Sequence, residues 1–204
     1  MEGLLTFMSN NTIDAEMDAT LVQRVVNGDV DALEQLFTKY QRQVFQFALG
    51  ITRDSQTTEE VLQDVFYRLY THAAQIDRTL PLLPWLYRVT ANVSYNRARR
   101  RRIWTEPFHT LADCLFAPSR RSPEQLAEQH ELQVVVREIL DGLSPNHRAV
   151  LMLYYLNDYS IPEIASILNN PEGTIKSRLH HARKLLKQRL LLRYGTATTL
   201  LDQI

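Results

Sequence analysis

The chain has 204 residues, room for one domain or two small ones, and 45% hydrophobic content is enough for packed cores. Its 23 basic side chains balance its 23 acidic ones, so bulk charge does not by itself announce a nucleic-acid partner. One cysteine, Cys114, excludes an internal disulfide and a cysteine-based zinc site. No apolar run approaches the roughly 18 residues of a membrane span and no signal-peptide pattern opens the chain, so a cytoplasmic protein is expected.

Charge is distributed unevenly. Residues 1–80 hold 12 acids and 6 bases, whereas 81–102 hold 6 arginines and no acid. Residues 103–160 hold 8 acids and 4 bases, and 161–204 hold 3 acids and 7 bases. Local charge rather than its sum decides where phosphate can bind, and two basic patches stand out. Only 6 glycines and few alternating β-branched runs predict an all-α fold.

Residues 1–16 carry no period and are expected to form a flexible tail, with helix beginning at Asp18. Leu21, Val22 and Val25 precede a stop at Asn27-Gly28. Asp29 is positioned to cap a second helix, whose Leu33, Leu36, Phe37, Tyr40, Val44, Phe45 and Ala48 make one stripe ending near Gly50. Thr57-x-x-Glu60 reads as a capping box opening a third helix with Val61, Leu62, Val65, Phe66, Leu69 and Tyr70 inside. Its other face carries Glu59, Glu60, Gln63 and Asp64. Three such helices pack naturally as a small bundle.

The prolines of Asp77 to Pro84 interrupt helix. From Trp85 it resumes, with Trp85, Leu86, Val89 and Val93 on one side and Trp85 read as core. Arg88, Asn92, Tyr95 and Arg99 fall on the opposite side, with Asn96, Arg100 and Arg101 adjoining. Cations for phosphate, amides for base edges and a ring for stacking suit a nucleic-acid surface better than a merely solvated helix end. Residues 103–122, with Pro107, Pro118 and no period, read as a linker, and Cys114 within it as a passive thiol.

Helical period returns at Ser122, then again beyond Leu143-Ser144-Pro145, where Val150, Leu151, Tyr154 and Tyr155 follow. The segment 160–187 reads as a helix-turn-helix. Ser160 and Glu163 form a capping box, Pro162 sits in the first turn, and Asn170 is the expected cap of the next helix. In that helix Ile175, Leu179, Ala182 and Leu186 make the apolar stripe. Glu172, Thr174, Lys176, Ser177, Arg178, His180, His181, Arg183 and Lys184 are the candidate groove-facing residues. The spacing alone also fits an amphipathic pair with a solvated basic face. The predicted layout is a tail (1–16), an N-terminal bundle (17–102), the linker (103–122), a C-terminal bundle (123–192) and a tail (193–204).

Gly173-Thr174-Ile175-Lys176-Ser177-Arg178-Leu179, followed by His180-His181-Ala182-Arg183, resembles the G-T-V-K-S-R-L-x-R-A-R signature of extracytoplasmic-function (ECF) sigma factors. Three N-terminal stretches resemble the same family: Asn27-Gly28-Asp29-x-x-Ala32-Leu33-x-x-Leu36, Glu59-Glu60-Val61-Leu62-Gln63-Asp64-Val65-Phe66, and Trp85-Leu86-Tyr87-Arg88-Val89 through Asn92. The resemblance implies that Glu59, Glu60, Gln63 and Asp64 grip the clamp helices of core RNA polymerase. It implies that Arg88, Asn92, Tyr95, Asn96, Arg99, Arg100 and Arg101 hold the melted −10 element, and that the helix-turn-helix reads the −35 element. An anti-sigma partner is also implied. His181 departs from the pattern, because the family commonly has arginine there.

Two rivals remain at this stage. A stand-alone helix-turn-helix regulator would leave the acidic helix and first basic helix unused; a helical adaptor would bind no DNA at all. Neither catalysis nor a cofactor is expected. No phosphate-loop, nucleophile-elbow or zinc-protease motif occurs, and consecutive His180 and His181 point about 100° apart on a helix, too far to share a metal.

Overall fold

The computed structural model describes the backbone of residues 2–101 and 140–194, and side chains at 14–99 and most of 140–191. The linker 103–122, Cys114, Arg102, most of the helix expected from Ser122, and the segment 195–204 lie outside the described residues. Within the described residues the fold is helical, without strands: α1 Glu2–Val26, α2 Val30–Thr52, α3 Ser55–His72, a 3₁₀ turn Ala73–Gln75, α4 Leu82–Arg101, α5 Pro145–Tyr155, α6 Ile161–Leu168 and α7 Glu172–Tyr194. The end of a further helix precedes Leu143.

Several local expectations are met by the caps. Gly28 ends α1 at φ 84, a left-handed conformation that needs no Cβ. Asp29 caps α2, its carboxylate accepting from the Ala32 N–H at 3.2 Å. Others are corrected. Helix α1 starts at Glu2 rather than Asp18; no proline interrupts residues 1–16, and the end of that stretch is held as Lys39 bridges Asp14 and Asp18 at 3.2 and 2.8 Å. Asp18 is 4% exposed and also accepts from the Tyr40 hydroxyl.

The cap of α3 is Asp54, accepting from Thr57 N–H at 2.6 Å, not Thr57, which is buried inside the first turn. Helix α4 starts at Leu82, three residues earlier than predicted. Pro84 falls in its first turn, where N–H groups have no helical acceptor to lose. Gly50 does not end α2. The helix continues to Thr52 and stops at Arg53 in the left-handed region (φ 63).

The first core is the one the stripes predict, except that Tyr70, expected inside α3, points out at 46% exposure. Leu21, Val22 and Val25 of α1 meet Leu36, Tyr40 and Val44 of α2, Val61, Val65 and Leu69 of α3, and Leu82, Leu86 and Val93 of α4. The second core was not predicted as it stands. Ala149, Val150, Met152 and Leu153 of α5, Ile164, Ile167 and Leu168 of α6, and Ile175 and Leu179 of α7 pack around Phe47 and Ile51 of α2 and Tyr87 and Ala91 of α4. The two bundles therefore share a core, because α2 and α4 each bury a second face. Neighbouring Leu86 and Tyr87, about 100° apart on the helix, serve one core each.

At this junction Phe47 and Tyr87 meet edge to face with centroids 4.8 Å apart. Both are essentially fully buried, as is Ile51; re-exposing each would cost about 1.5–3 kcal/mol. Gly50 explains the close approach. A Cβ there would lie 1.6 Å from the Met152 sulfur, so the glycine makes room for the other bundle.

Candidate nucleic-acid interface

The helix-turn-helix is built from its caps. The Glu163 carboxylate accepts from both the Ser160 N–H (2.8 Å) and its hydroxyl (2.5 Å), closing the predicted box, and these bonds hold its pKa below the usual carboxylate range. Asn169 ends α6 in the left-handed conformation (φ 50). Asn170 is not the cap of α7. Its amide donates back to the Leu168 carbonyl at 2.6 Å, satisfying a group at the end of α6. The backbone then turns at Pro171, whose carbonyl accepts from Thr174 and Ile175.

Helix α7 buries Ile175, Leu179 and Ala182 as predicted. Glu172, Lys176, Ser177, His180, His181 and Lys184 are exposed, and Thr174 is half-buried. Lys176 bridges Glu172 one turn earlier at 3.3 Å. Two basic candidates are less open. Arg183 donates to the Tyr155 hydroxyl at 2.8 Å and stacks over the Tyr154 and Tyr155 rings at 5.3 and 5.7 Å. Arg178 is half-buried, with Nη1 enclosed and without a hydrogen-bond partner. The ring of His181 lies 4.7 Å from that of His147.

Along α4, Asn92, Asn96 and Arg99 are exposed as expected; the side chains of Arg100 and Arg101 lie outside the described residues. Tyr95 is a correction. It packs against the second core, its hydroxyl enclosed without a partner, and burial raises its pKa above the usual tyrosine range against the pull of Arg178. Arg88 is another. Its guanidinium donates to the Ile167 carbonyl at 3.0 Å and the Ser166 carbonyl at 2.6 Å, at the end of α6. Helical spacing placed both residues opposite the first apolar stripe; the second bundle covers Tyr95 there and leaves Arg88 exposed.

Glu59, Glu60 and Gln63 are exposed on α3, with Asp64 half-buried beside them. Arg97 of α4 reaches across to this acidic face, donating to Asp64 at 2.7 Å and to Glu60. Sequence reasoning missed Arg97, which read as one more cation in a basic run. It also missed Arg148, buried to 8% exposure. Arg148 donates to the carbonyls of Ile51, Leu140 and Leu143. Burial, with Arg53 nearby, pushes its pKa down to about 10, still charged at neutral pH. Carbonyl acceptors leave no mark in a sequence, so nothing signalled this role. Among the described residues no cluster of three metal-ligating side chains occurs, and no helix is long and apolar enough to cross a membrane.

The family model described as Sigma-70 region 2 matches residues 36–103, and that described as Sigma-70, region 4 matches residues 133–186. The chain is 31% identical to the ECF RNA polymerase sigma factor SigM of Bacillus subtilis over 155 residues, 76% of this chain and 93% of that protein. It is 30% identical to the probable RNA polymerase sigma factor RfaY of Xanthomonas campestris pv. campestris over 191 residues, 93% of this chain; it spans about half (48%) of that relative's length. Among solved structures, CnrH in complex with the cytosolic domain of CnrY is similar in fold. It has a TM-score of 0.61 and 20% identity, covering 87% of this chain and 99% of that one. RpoE of Bartonella quintana, bound to the anti-sigma factor NepR, is similar at a TM-score of 0.62 and 21% identity, covering 78% and 97%.

Proposed function

The chain belongs to the ECF RNA polymerase sigma factors, and from that membership we propose that it binds core RNA polymerase and directs promoter recognition and transcription initiation. The acidic face of α3, with Glu59, Glu60, Gln63 and Asp64, is the polymerase contact. Exposed residues of α7 set the register on the −35 duplex, with Lys176 and Ser177 reading base edges. Helix α4, through Asn92, Asn96 and the arginines from Arg99 to Arg101, holds the opened −10 strand. Its domains are residues 17–102 and 123–192, joined by the linker 103–122. The chain works in the cytoplasm, catalyses no step itself, and takes an anti-sigma protein as a further partner.

The observation that carries this reading is the exposed acidic surface on α3, on a separate helix from both candidate DNA helices. A stand-alone helix-turn-helix regulator has no use for it. Mixing the chain with core polymerase tests the assignment: co-elution and promoter-dependent transcripts are expected. Duplex binding without co-elution would overturn it in favour of the stand-alone regulator.

A further inference from the structure

We propose that Tyr155 of α5 completes a phosphate clamp with Arg183 of α7, extending the duplex-facing surface onto the helix that precedes the helix-turn-helix. The inference rests on the reading of α7 as a duplex-facing helix. Arg183 Nε donates to the Tyr155 hydroxyl at 2.8 Å, and the Tyr154 hydroxyl is a second acceptor beside the guanidinium. The guanidinium stacks over both rings, 5.3 Å from the centroid of Tyr154 and 5.7 Å from that of Tyr155. The two rings meet edge to face at 5.0 Å, which fixes the pair as a platform.

The chemistry of this cluster fits an anion. Lys39, Arg53, Arg97 and Lys176 each bridge a carboxylate, whereas among the described residues no carboxylate lies within ion-pair distance of Arg183. A guanidinium carries five N–H donors, more than two phenol oxygens can occupy. A phenol that accepts from Nε–H also keeps its own proton, and among the described residues Tyr155 donates it to no acceptor. Tyr155 is 38% exposed, so the cluster is open to a ligand. An ordered cation beside a neutral O–H donor suits the non-bridging oxygens of a phosphate, which both side-chain types bond in duplex complexes. Its place along α7 selects a duplex phosphate. Arg183 lies seven residues beyond Lys176, two turns and about 10 Å at 1.5 Å per residue. The major groove is about 12 Å wide, so with Lys176 at base edges Arg183 is carried to the groove wall, where the phosphates run.

Tyr155→Phe tests the proposal, because it keeps the ring against Arg183 and removes only the hydroxyl. Affinity for a promoter and for a scrambled duplex is measured against salt, with the full chain alone and reconstituted with core polymerase. The variant is expected to bind both duplexes about five- to tenfold more weakly, as for the loss of one charge-assisted hydrogen bond. Its salt slope should not change, since no charge is lost. In an Arg183→Ala background the same substitution should cost less than about twofold, because the clamp is already dismantled. Arg183→Lys should resemble Tyr155→Phe, since it keeps the charge but lacks the fork that serves hydroxyl and phosphate together. Full-strength duplex binding by Tyr155→Phe, or an equal loss in both backgrounds, would overturn the clamp and leave the tyrosines as packing for Arg183. Should Tyr155→Phe lose helical content, Arg183→Lys decides in its place, and wild-type affinity there would overturn the clamp. Lys176→Ala separates this failure from that of the underlying reading. If it weakens promoter binding while Tyr155→Phe does not, α7 faces DNA and only the clamp falls. If neither substitution matters, or the chain binds no duplex in either form, the reading of α7 falls and the clamp with it.

Discussion

Arg97 on α4 donates to Asp64 on α3 at 2.7 Å, joining the helix proposed for the −10 strand to the face proposed for polymerase. Glu60 receives the same guanidinium. Both carboxylates stay partly open to water, at 42% and 47%, so the pair adds at most about 1 kcal/mol to stability. Its consequence is competition, since a basic polymerase surface must displace Arg97 to reach the carboxylates. Asp64→Arg is expected to weaken co-elution with polymerase while leaving helical content unchanged. Arg97→Ala is expected to strengthen it by up to about fivefold at low salt, the equivalent of about 1 kcal/mol. Unaltered association in both variants would remove the polymerase contact from α3.

The arginine run at the end of α4 gives a second expectation. Neutralising Arg99, Arg100 and Arg101 together removes up to three phosphate contacts. The slope of log affinity against log salt should then fall by about 2–3 units. An unchanged slope would mean these side chains are solvated and hold no strand.

How far the fold was legible follows from what each residue's partner is. Stripes such as Leu36, Tyr40 and Val44 announce their helix because apolar side chains bury with other apolar side chains at helical spacing. The Ser160 box was readable because both partners lie within one turn. The second faces of α2 and α4 were not, since Phe47, Ile51, Tyr87 and Ala91 make sense only against helices roughly 60 or more residues away in sequence. Gly50 lies where the predicted stripe of α2 ends, and its role there, giving space to Met152, depends on a residue about a hundred positions away. Arg88 sat at the right spacing for an exposed face, and its acceptors are carbonyls, which every residue has. The candidate site was therefore legible as a set of residue types, while the burial of part of it was not.

Acidity should loosen the second bundle through His147. Its Nδ1 lies 2.6 Å from the Ser144 hydroxyl, and the groups facing it are His181, 4.7 Å away ring to ring, and Arg178. Partial burial, then these two neighbours, hold its pKa below the ordinary 6.5. The unfolded chain thus binds the proton more readily than the folded one. The contribution to stability is complete above about pH 6.5 and is lost as pH falls below that toward the folded value. Thermal melts at pH 7.5 and 5.5 should show a drop for the wild type that His147→Gln reduces. Carboxylates held low, such as Glu163, titrate at more acidic pH and do not confuse this window. Equal drops in the two proteins would refute the role of His147.

Specificity at α7 separates base reading from phosphate contact. Lys176 and Ser177 are exposed in the second turn, with Glu172 holding Lys176 at 3.3 Å. Arg183 is instead oriented by Tyr154 and Tyr155 two turns further on. First-turn and neighbouring residues of a recognition helix reach base edges, while cations farther along meet the backbone. Lys176→Ala is therefore expected to relax base preference by about 1–3 kcal/mol per contacted pair. Arg183→Ala and Lys184→Ala should weaken every duplex alike and lower the salt slope by about 1 each. At His181 the family commonly has an arginine, whose planar fork can pair with guanine O6 and N7 together, as a histidine cannot. His181→Arg should thus tighten binding. Binding of each variant to a cognate promoter and to scrambled duplexes supplies the comparison. If Lys176→Ala lost affinity equally for both, Lys176 would be a phosphate contact and base reading would have to lie elsewhere on α7.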